Sequence, residues 1–262
     1  MHSKWMIPVA VATVGMLAAC GGGETKKEPI RAKAPAAGQA APAADSGGYM
    51  AGPVENGGAV TGSVKFVGTP PPIEKIEVSK DPAICGKEKV VETVQVGSGG
   101  GLKDVVIWID GIAKGKDWGP IDGGSVDQKE CHYTPYIQIV RAGGSLDVVN
   151  SDQVLHNIHA YYKDTETLFN LAQPMAGMKT PKKLEKSGPV HLRCDVHSWM
   201  SAWVFVAAHP YYSVSSADGA FTLDGVPAGS YKLHAWHSKF GEKTADVTVS
   251  AGGKATAEFS MP

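Results

Sequence analysis

Beyond its first twenty positions this 262-residue sequence contains no sustained 3.6-residue apolar period, which excludes a helical bundle or a long coiled coil. Neither sign of charge is in excess. With 25 basic and 26 acidic residues the formal net charge is −1, so there is no electrostatic footprint for nucleic acid. No serine elbow, zinc-protease helix motif or phosphate-cradling glycine loop is present. Asp127, Glu130 and His132 fall close together, but no nucleophile–base pair can be read from them. The expectation is that the chain is not an enzyme. The longest apolar run, Trp5 to Leu17, is too short to span a bilayer. Cysteine is scarce, with four residues in all: Cys20, Cys85, Cys131 and Cys194.

What is present begins with a short basic start, the apolar run, and then Leu17-Ala18-Ala19-Cys20. This has the form of a secretory signal peptide whose small-residue cleavage site is followed at once by cysteine. It resembles a bacterial lipobox. The resemblance implies a signal over 1–20, lipidation of Cys20, a membrane anchor through that lipid and, because Gly21 and not Asp follows, an outer-membrane lipoprotein facing the periplasm. Residues 21–56 are rich in Gly, Ala, Pro, Lys and Glu and have no apolar period. They read as a disordered tether. An exported chain meets an oxidising compartment, where cysteines pair. With Cys20 assigned to lipid and Cys194 lying among metal-type ligands, Cys85 and Cys131 form the economical disulfide. It would close a loop of about 45 residues and stabilise by ~3–4 kcal/mol. Two separate buried thiols are the competing reading.

From residue 57 onward the sequence consists of short β-branched runs bounded by glycine and proline. Examples are Val60–Val67, Val105–Ile109, Tyr136–Val140, Ser145–Val149 and Trp203–Val206, with 32 glycines in the chain. Such a pattern predicts an all-β chain of sandwiches. The stretch from Leu168 to Met178 leaves room for a helical turn. Near the C-terminus, Asp218-Gly219-Ala220-Phe221-Thr222-Leu223 and Val226-Pro227-Ala228-Gly229-Ser230-Tyr231-Lys232-Leu233 alternate turns with strands. This run resembles the carboxypeptidase-regulatory-like, or transthyretin-like, β-sandwich, placed here at 209–262. The first strands of that family resemble Gly62–Pro70. The β region 57–120 could therefore supply them, with a second module at 121–208 inserted between; a simple tandem is the other arrangement.

Within 121–208, Cys194-Asp195-Val196-His197-Ser198-Trp199-Met200 sets a thiolate, an imidazole and a thioether at two-residue spacings. Soft sulfur with imidazole is a ligand set for copper that cycles between Cu(I) and Cu(II). A second histidine is available about forty residues upstream in Asn150-Ser151-Asp152-Gln153-Val154-Leu155-His156-Asn157-Ile158-His159. Val190, Leu192 and Cys194 alternate onto one face of a strand, so the thiol ends an inward-facing row.

These two stretches resemble the cupredoxins, the plastocyanin and amicyanin group of Greek-key β-sandwiches, and the short spacers are those of amicyanin. The resemblance implies one mononuclear type 1 copper held by His156, Cys194, His197 and a weak axial Met200. It implies that Asn157 ties the ligand loops together, that the peptide nitrogen after the first ligand helps hold the thiolate, and that His159 is not a ligand. It also implies that an edge of His197 reaches solvent in an apolar patch where electrons enter, lined by Trp199, Met175 and Met178. Arg193 stands where an aromatic residue often precedes the cysteine, and the loop lacks the proline that commonly neighbours the distal histidine.

The expected function is single-electron transfer between redox partner proteins. Two other classes remain open: a copper-handling protein without redox shuttling, and an envelope adhesion or carbohydrate-binding protein acting through the terminal sandwich. Lys179, Lys182, Lys183 and Lys186 read either as a solvated loop or as a docking patch for an acidic partner. His234, Trp236 and His237 read as a packed strand edge rather than a second metal site.

Overall fold

A computed structural model describes residues 48–91, 93–119 and 123–262. The expected signal peptide, the lipobox with Cys20 and residues 21–47 of the expected tether lie outside the described residues. The chain is all-β. Its elements are β1 (Met50–Ala51), β2 (Gly58–Phe66), β3 (Glu74–Glu77), α1 (Pro82–Cys85), β4 (Glu88–Val91), β5 (Val106–Ile109), β6 (Lys114–Gly115), β7 (Gly123–Lys129), β8 (His132–Thr134), β9 (Ile137–Arg141) and β10 (Gly144–Asn150). There follow β11 (His156–Tyr162), β12 (Glu166–Gln173), β13 (Met178–Leu184), β14 (Gly188–Arg193), β15 (Ser201–Ala207), β16 (Tyr212–Val214), β17 (Ala220–Val226), β18 (Gly229–His237), β19 (Gly241–Val249) and β20 (Lys254–Met261). Among the described residues no helix is long and apolar enough to cross a membrane.

Two sandwiches form. In the first, a four-stranded sheet ordered β13-β10-β7-β8 faces a five-stranded sheet ordered β12-β11-β14-β15-β9. Alternation builds its core: Leu146 and Val148 on β10, Ile158 and Ala160 on β11, Val190 and Leu192 on β14 all have no exposed surface. The stretch Leu168 to Gln173 forms part of β12 rather than a helical turn, because β11 offers it a full antiparallel ladder from His156↔Gln173 to Ala160↔Phe169.

In the second sandwich, β16-β5-β18-β19 packs on β17-β2-β20. Strands from early in the chain are internal to both sheets: β2 lies between β17 and β20, and β5 between β16 and β18. Gly62 allows β2 its close approach, since a Cβ there would lie 1.8 Å from the Ala257 carbonyl oxygen and 2.6 Å from the Phe221 ring. The two sandwiches share a third cluster, in which Trp203 and Phe205 of β15 pack with Val106 and Trp108 of β5. β3, α1 and β4 stand apart as a small hairpin with a helical turn at its tip, joined to the first sandwich by a disulfide between Cys85 and Cys131.

Candidate metal centre

Local hydrogen bonds shape the loop between β14 and β15. The Cys194 sulfur accepts the His197 N–H at 3.3 Å, and the His197 carbonyl accepts the Met200 N–H at 2.9 Å. These bonds fold the loop back so that Cys194, His197 and Met200 face inward, exposed by 3%, 0% and 2%. The first residue of β11, His156, comes to the same point with no exposed surface. One donor atom from each of His156, Cys194 and His197 lies within 4.8 Å of the others. Nδ1 of His156 is 3.0 Å from Nδ1 of His197, which is 3.9 Å from the Cys194 sulfur.

The far side of each ring fixes its tautomer. His156 Nε2 lies 2.8 Å from Asp152 Oδ2, and His197 Nε2 lies 3.0 Å from Asp81 Oδ2. A carboxylate only accepts, so each Nε2 carries the hydrogen and each Nδ1 presents a lone pair. Two lone pairs facing at 3.0 Å need a cation between them, either a proton or a metal ion. Burial pushes the His197 imidazole below its ordinary value, outweighing Asp81, which works to raise it, so a proton on that ring is disfavoured. Two imidazoles and a thiol without a solvent path suit a borderline-to-soft metal such as copper or zinc. The residues present fit the expected group.

Asn157, 6% exposed, ties the loops together. Its Oδ1 accepts the N–H of Asp195 at 2.6 Å and of Val196 at 3.3 Å, and its Nδ2 donates to Asn170 Oδ1 at 2.8 Å. The peptide donor on the Cys194 sulfur is His197 N–H, from within the loop, where the expectation had the residue after His156. His159 lies outside the cluster, between Asp195 at 3.0 Å and Thr167 Oγ1 at 3.0 Å. Met200 borders a cavity of about 310 Å³ that Trp199, His132, Tyr133 and Val90 also line.

The expected solvent-facing edge of His197 is not there. The ring is fully buried because Asp81, brought in by the β3–β4 hairpin, covers Nε2. Trp199 packs against it, with ring centroids 5.1 Å apart, and donates its Nε1–H to the Cys131 carbonyl at 3.1 Å. Met175 is 65% exposed on the β12–β13 turn, and Met178 opens the edge strand β13 opposite Asn150. Three of the expected basic residues are paired at the surface: Lys179 with Asp147, Lys183 with Glu185 and Lys186 with Glu166. His234 pairs with Glu242, while Trp236 belongs to the cluster between sandwiches.

Sequence reasoning missed both carboxylates. Asp152 also accepts the N–H of Glu130 at 2.7 Å and of Cys131 at 2.8 Å. Burial works to raise its carboxyl, but these two N–H bonds and the His156 bond prevail and hold it below the ordinary carboxylate value. A local signal existed, since Asp152 precedes His156 by four residues and its own N–H is held by Asn150 Oδ1 at 2.9 Å in a tight turn. Asp81 is 116 residues from His197 and had none.

Comparison with known proteins matches residues 201–262 to the carboxypeptidase regulatory-like domain family. That span begins with β15, which pairs in the metal-centre sandwich, and omits β2 and β5, which complete the terminal sheets. Among solved structures the chain is similar to a purple cupredoxin from Nitrosopumilus maritimus, at 21% identity over 32% of this chain and 99% of that one, with a TM-score of 0.29. It is similar to amicyanin from Paracoccus versutus, at 20% identity over 34% of this chain and 84% of that one, with a TM-score of 0.30. A copper-containing nitrite reductase from Thermus scotoductus matches at 17% identity over 32% of this chain and only 22% of its own, with a TM-score of 0.28. A search of curated protein sequences finds no match to the chain.

Proposed function

We propose that this chain is a blue-copper electron carrier, not an enzyme, anchored by lipid at Cys20 to the outer membrane and facing the periplasm. His156, Cys194 and His197 would hold one copper ion, with Met200 as a weak fourth ligand. The observation that carries this reading is the pair of facing Nδ1 atoms at 3.0 Å, each committed to a lone pair by a carboxylate on its other nitrogen, beside a buried free thiol.

Copper bound there would supply a one-electron Cu(II)/Cu(I) couple. The rest falls to the chain's own residues. Asp152 and Asp81 hold the two imidazole tautomers. Asn157 and the His197 N–H pin the thiol-bearing loop through bonds that do not involve a metal. Burial of all four donor residues keeps water out. A donor set fixed in this way changes little between oxidation states, so electron exchange with a partner protein carries a small reorganisation cost. The division into an inserted copper module at 121–208 and a regulatory-like sandwich built from 57–120 and 209–262 belongs to the same proposal. Its support is that β2 and β5 are internal strands of the terminal sheets.

The test is to add Cu(II) to the purified protein and record its visible and EPR spectra. We expect an intense thiolate-to-Cu(II) band with narrow copper hyperfine splitting, both lost in Cys194→Ser. A colourless wild type with wide splitting would sink the blue-copper reading. For the anchor, Cys20→Ala should move the protein from the membrane to the soluble fraction; a variant still in the membrane pellet would contradict lipidation at Cys20.

A further inference from the structure

The hairpin from Glu74 to Val91 belongs to neither sandwich, yet it is tied down over the metal centre. Val78 packs against the core of the first sandwich. Cys85, 2% exposed, is bonded to Cys131, and the mostly buried Lys89 reaches the Glu130 carbonyl. From this base Asp81 places Oδ2 3.0 Å from His197 Nε2. The backbone at Asp81 is unusual, with φ of 51° in the left-handed region. Helical conformations of either hand are crowded for a residue that precedes proline, and Pro82 follows. The conformation persists because the Asp81 carbonyl accepts the N–H of Ile84 at 3.0 Å and of Cys85 at 2.9 Å. Strain of this kind, over-determined by its surroundings, clusters at functional sites.

Cys131 is the junction of the arrangement. Its N–H holds Asp152, which bonds His156. Its carbonyl holds Trp199, which packs on His197. Its sulfur holds Cys85, four residues beyond Asp81. Donor atoms of Cys85, Cys131 and His197 themselves lie within 4.8 Å of one another. A disulfide serving stability alone would account for the cross-link. It would not account for a bent aspartate directed onto a buried imidazole nitrogen.

We infer that residues 74–91 form a disulfide-pinned cap on the metal centre and that Asp81 is a positioning residue for His197, holding hydrogen on Nε2, leaving Nδ1 free for the metal and sealing that ring edge from solvent. The inference rests on the metal-centre reading proposed above. Electrons therefore do not enter at an exposed His197 edge, and metal exchange requires the cap to lift. The negative charge of Asp81 also favours the more positive ion of the Cu(II)/Cu(I) pair.

The deciding experiment uses metal-free protein, so it is independent of whether a blue-copper site forms. Long-range ¹H–¹⁵N spectra report the His197 tautomer, and diethylpyrocarbonate modification mapped by mass spectrometry reports exposure of its ring. Wild type should show the Nε2–H tautomer and slow modification. Asp81→Ala should mix the tautomers and speed modification at least tenfold. Asp81→Asn, whose amide oxygen can still accept the bond, should behave like wild type. Cys85→Ser, which frees the cap without touching Asp81, should match Asp81→Ala. Modification of His197 at the wild-type rate in both Asp81→Ala and Cys85→Ser would overturn the cap. In copper-loaded protein, Asp81→Asn and Asp81→Ala should both raise the reduction potential. A tenfold shift in the ratio of Cu(II) to Cu(I) affinity corresponds to about 59 mV. An unchanged potential in both would overturn the role assigned to the Asp81 charge. Absence of a thiolate-to-copper band in wild type would count against the proposed function while leaving the metal-free result to decide the cap.

Discussion

Asn157 carries more of the loop geometry than its size suggests. It is buried, and its amide oxygen accepts two consecutive backbone N–H groups of the thiol-bearing loop, at 2.6 and 3.3 Å. Removing it strips both donors of their protein partner, with the Val196 N–H in a half-buried position and Asp195 at the surface. An unmade buried hydrogen bond costs roughly 1–3 kcal/mol. Asn157→Ala should therefore lower the unfolding free energy of the metal-free protein by about that amount in urea titration. Asn170 also contacts Asp195, donating at 2.9 Å, but it is exposed, and Asn170→Ala should change stability by no more than about 0.5 kcal/mol. Equal effects at the two positions would contradict the assigned role. The other fixtures of the site differ in how visible they were. Cys194 and His197 could be picked from the sequence because ligand-type residues stand there at a short spacing, and His156, about forty residues upstream, because its surroundings resemble a known ligand loop; the structure brings donor atoms of the three within 4.8 Å of one another. Asp152 had a turn signal that was passed over. Asp81 reaches the site only because a cross-link elsewhere positions its hairpin, and no local pattern encodes that.

At the level of elements, the legible strands are those whose two faces differ. Val60, Val64, Leu146, Val148, Val190 and Leu192 alternate with more exposed neighbours, and the runs that carried them correspond to β2, β10 and β14. β5 was legible for the other reason, being buried throughout as Val106–Ile109. The edge strands were not. β13 reads Met-Lys-Thr-Pro-Lys-Lys-Leu, with Lys179 and Lys183 turned outward, Lys182 on the half-buried face, and Pro181 within it, which the ladder tolerates on an edge where no second neighbour needs its missing N–H. β12 is polar enough to pass for a loop, and its strand character comes from pairing with β11. The β3–β4 hairpin lacks a buried apolar face altogether. Where tertiary pairing and not side-chain pattern makes the strand, sequence reading stops short.

On the scale of the whole molecule, the two sandwiches are joined by aromatic contacts, with Trp108 and Phe205 centroids 4.9 Å apart and Trp203 and Trp236 5.0 Å apart. Each such pair adds about 0.5–1.5 kcal/mol beyond area burial. Histidines are buried near this seam and at the far end of β18. His209 follows β15 and accepts the Tyr211 N–H at 3.2 Å, while His237 ends β18 and stacks on Phe240 at 4.8 Å. Burial depresses both imidazoles from 6.5 to about 4. The unfolded chain therefore takes up protons first as pH falls, and stability declines from about pH 6.5 down to about pH 4. At pH 5 the loss is about 2 kcal/mol for each histidine. His132 and His197, also depressed, act in the same direction. The depressed carboxyls of Asp152 and Asp164 weaken the fold only at lower pH, and the carboxyl of Asp104, raised by burial, works in the opposite direction, so a decline in stability from pH 7 to 5 comes from the histidines. The thermal midpoint of the metal-free protein should drop steadily across that interval, and His209→Phe with His237→Phe should flatten the slope even though each replacement forfeits a hydrogen bond to a backbone N–H. The comparison is of slopes, so a uniform loss of stability leaves it unaffected. A double variant as acid-sensitive as wild type would show that the buried imidazoles do not set the acid response.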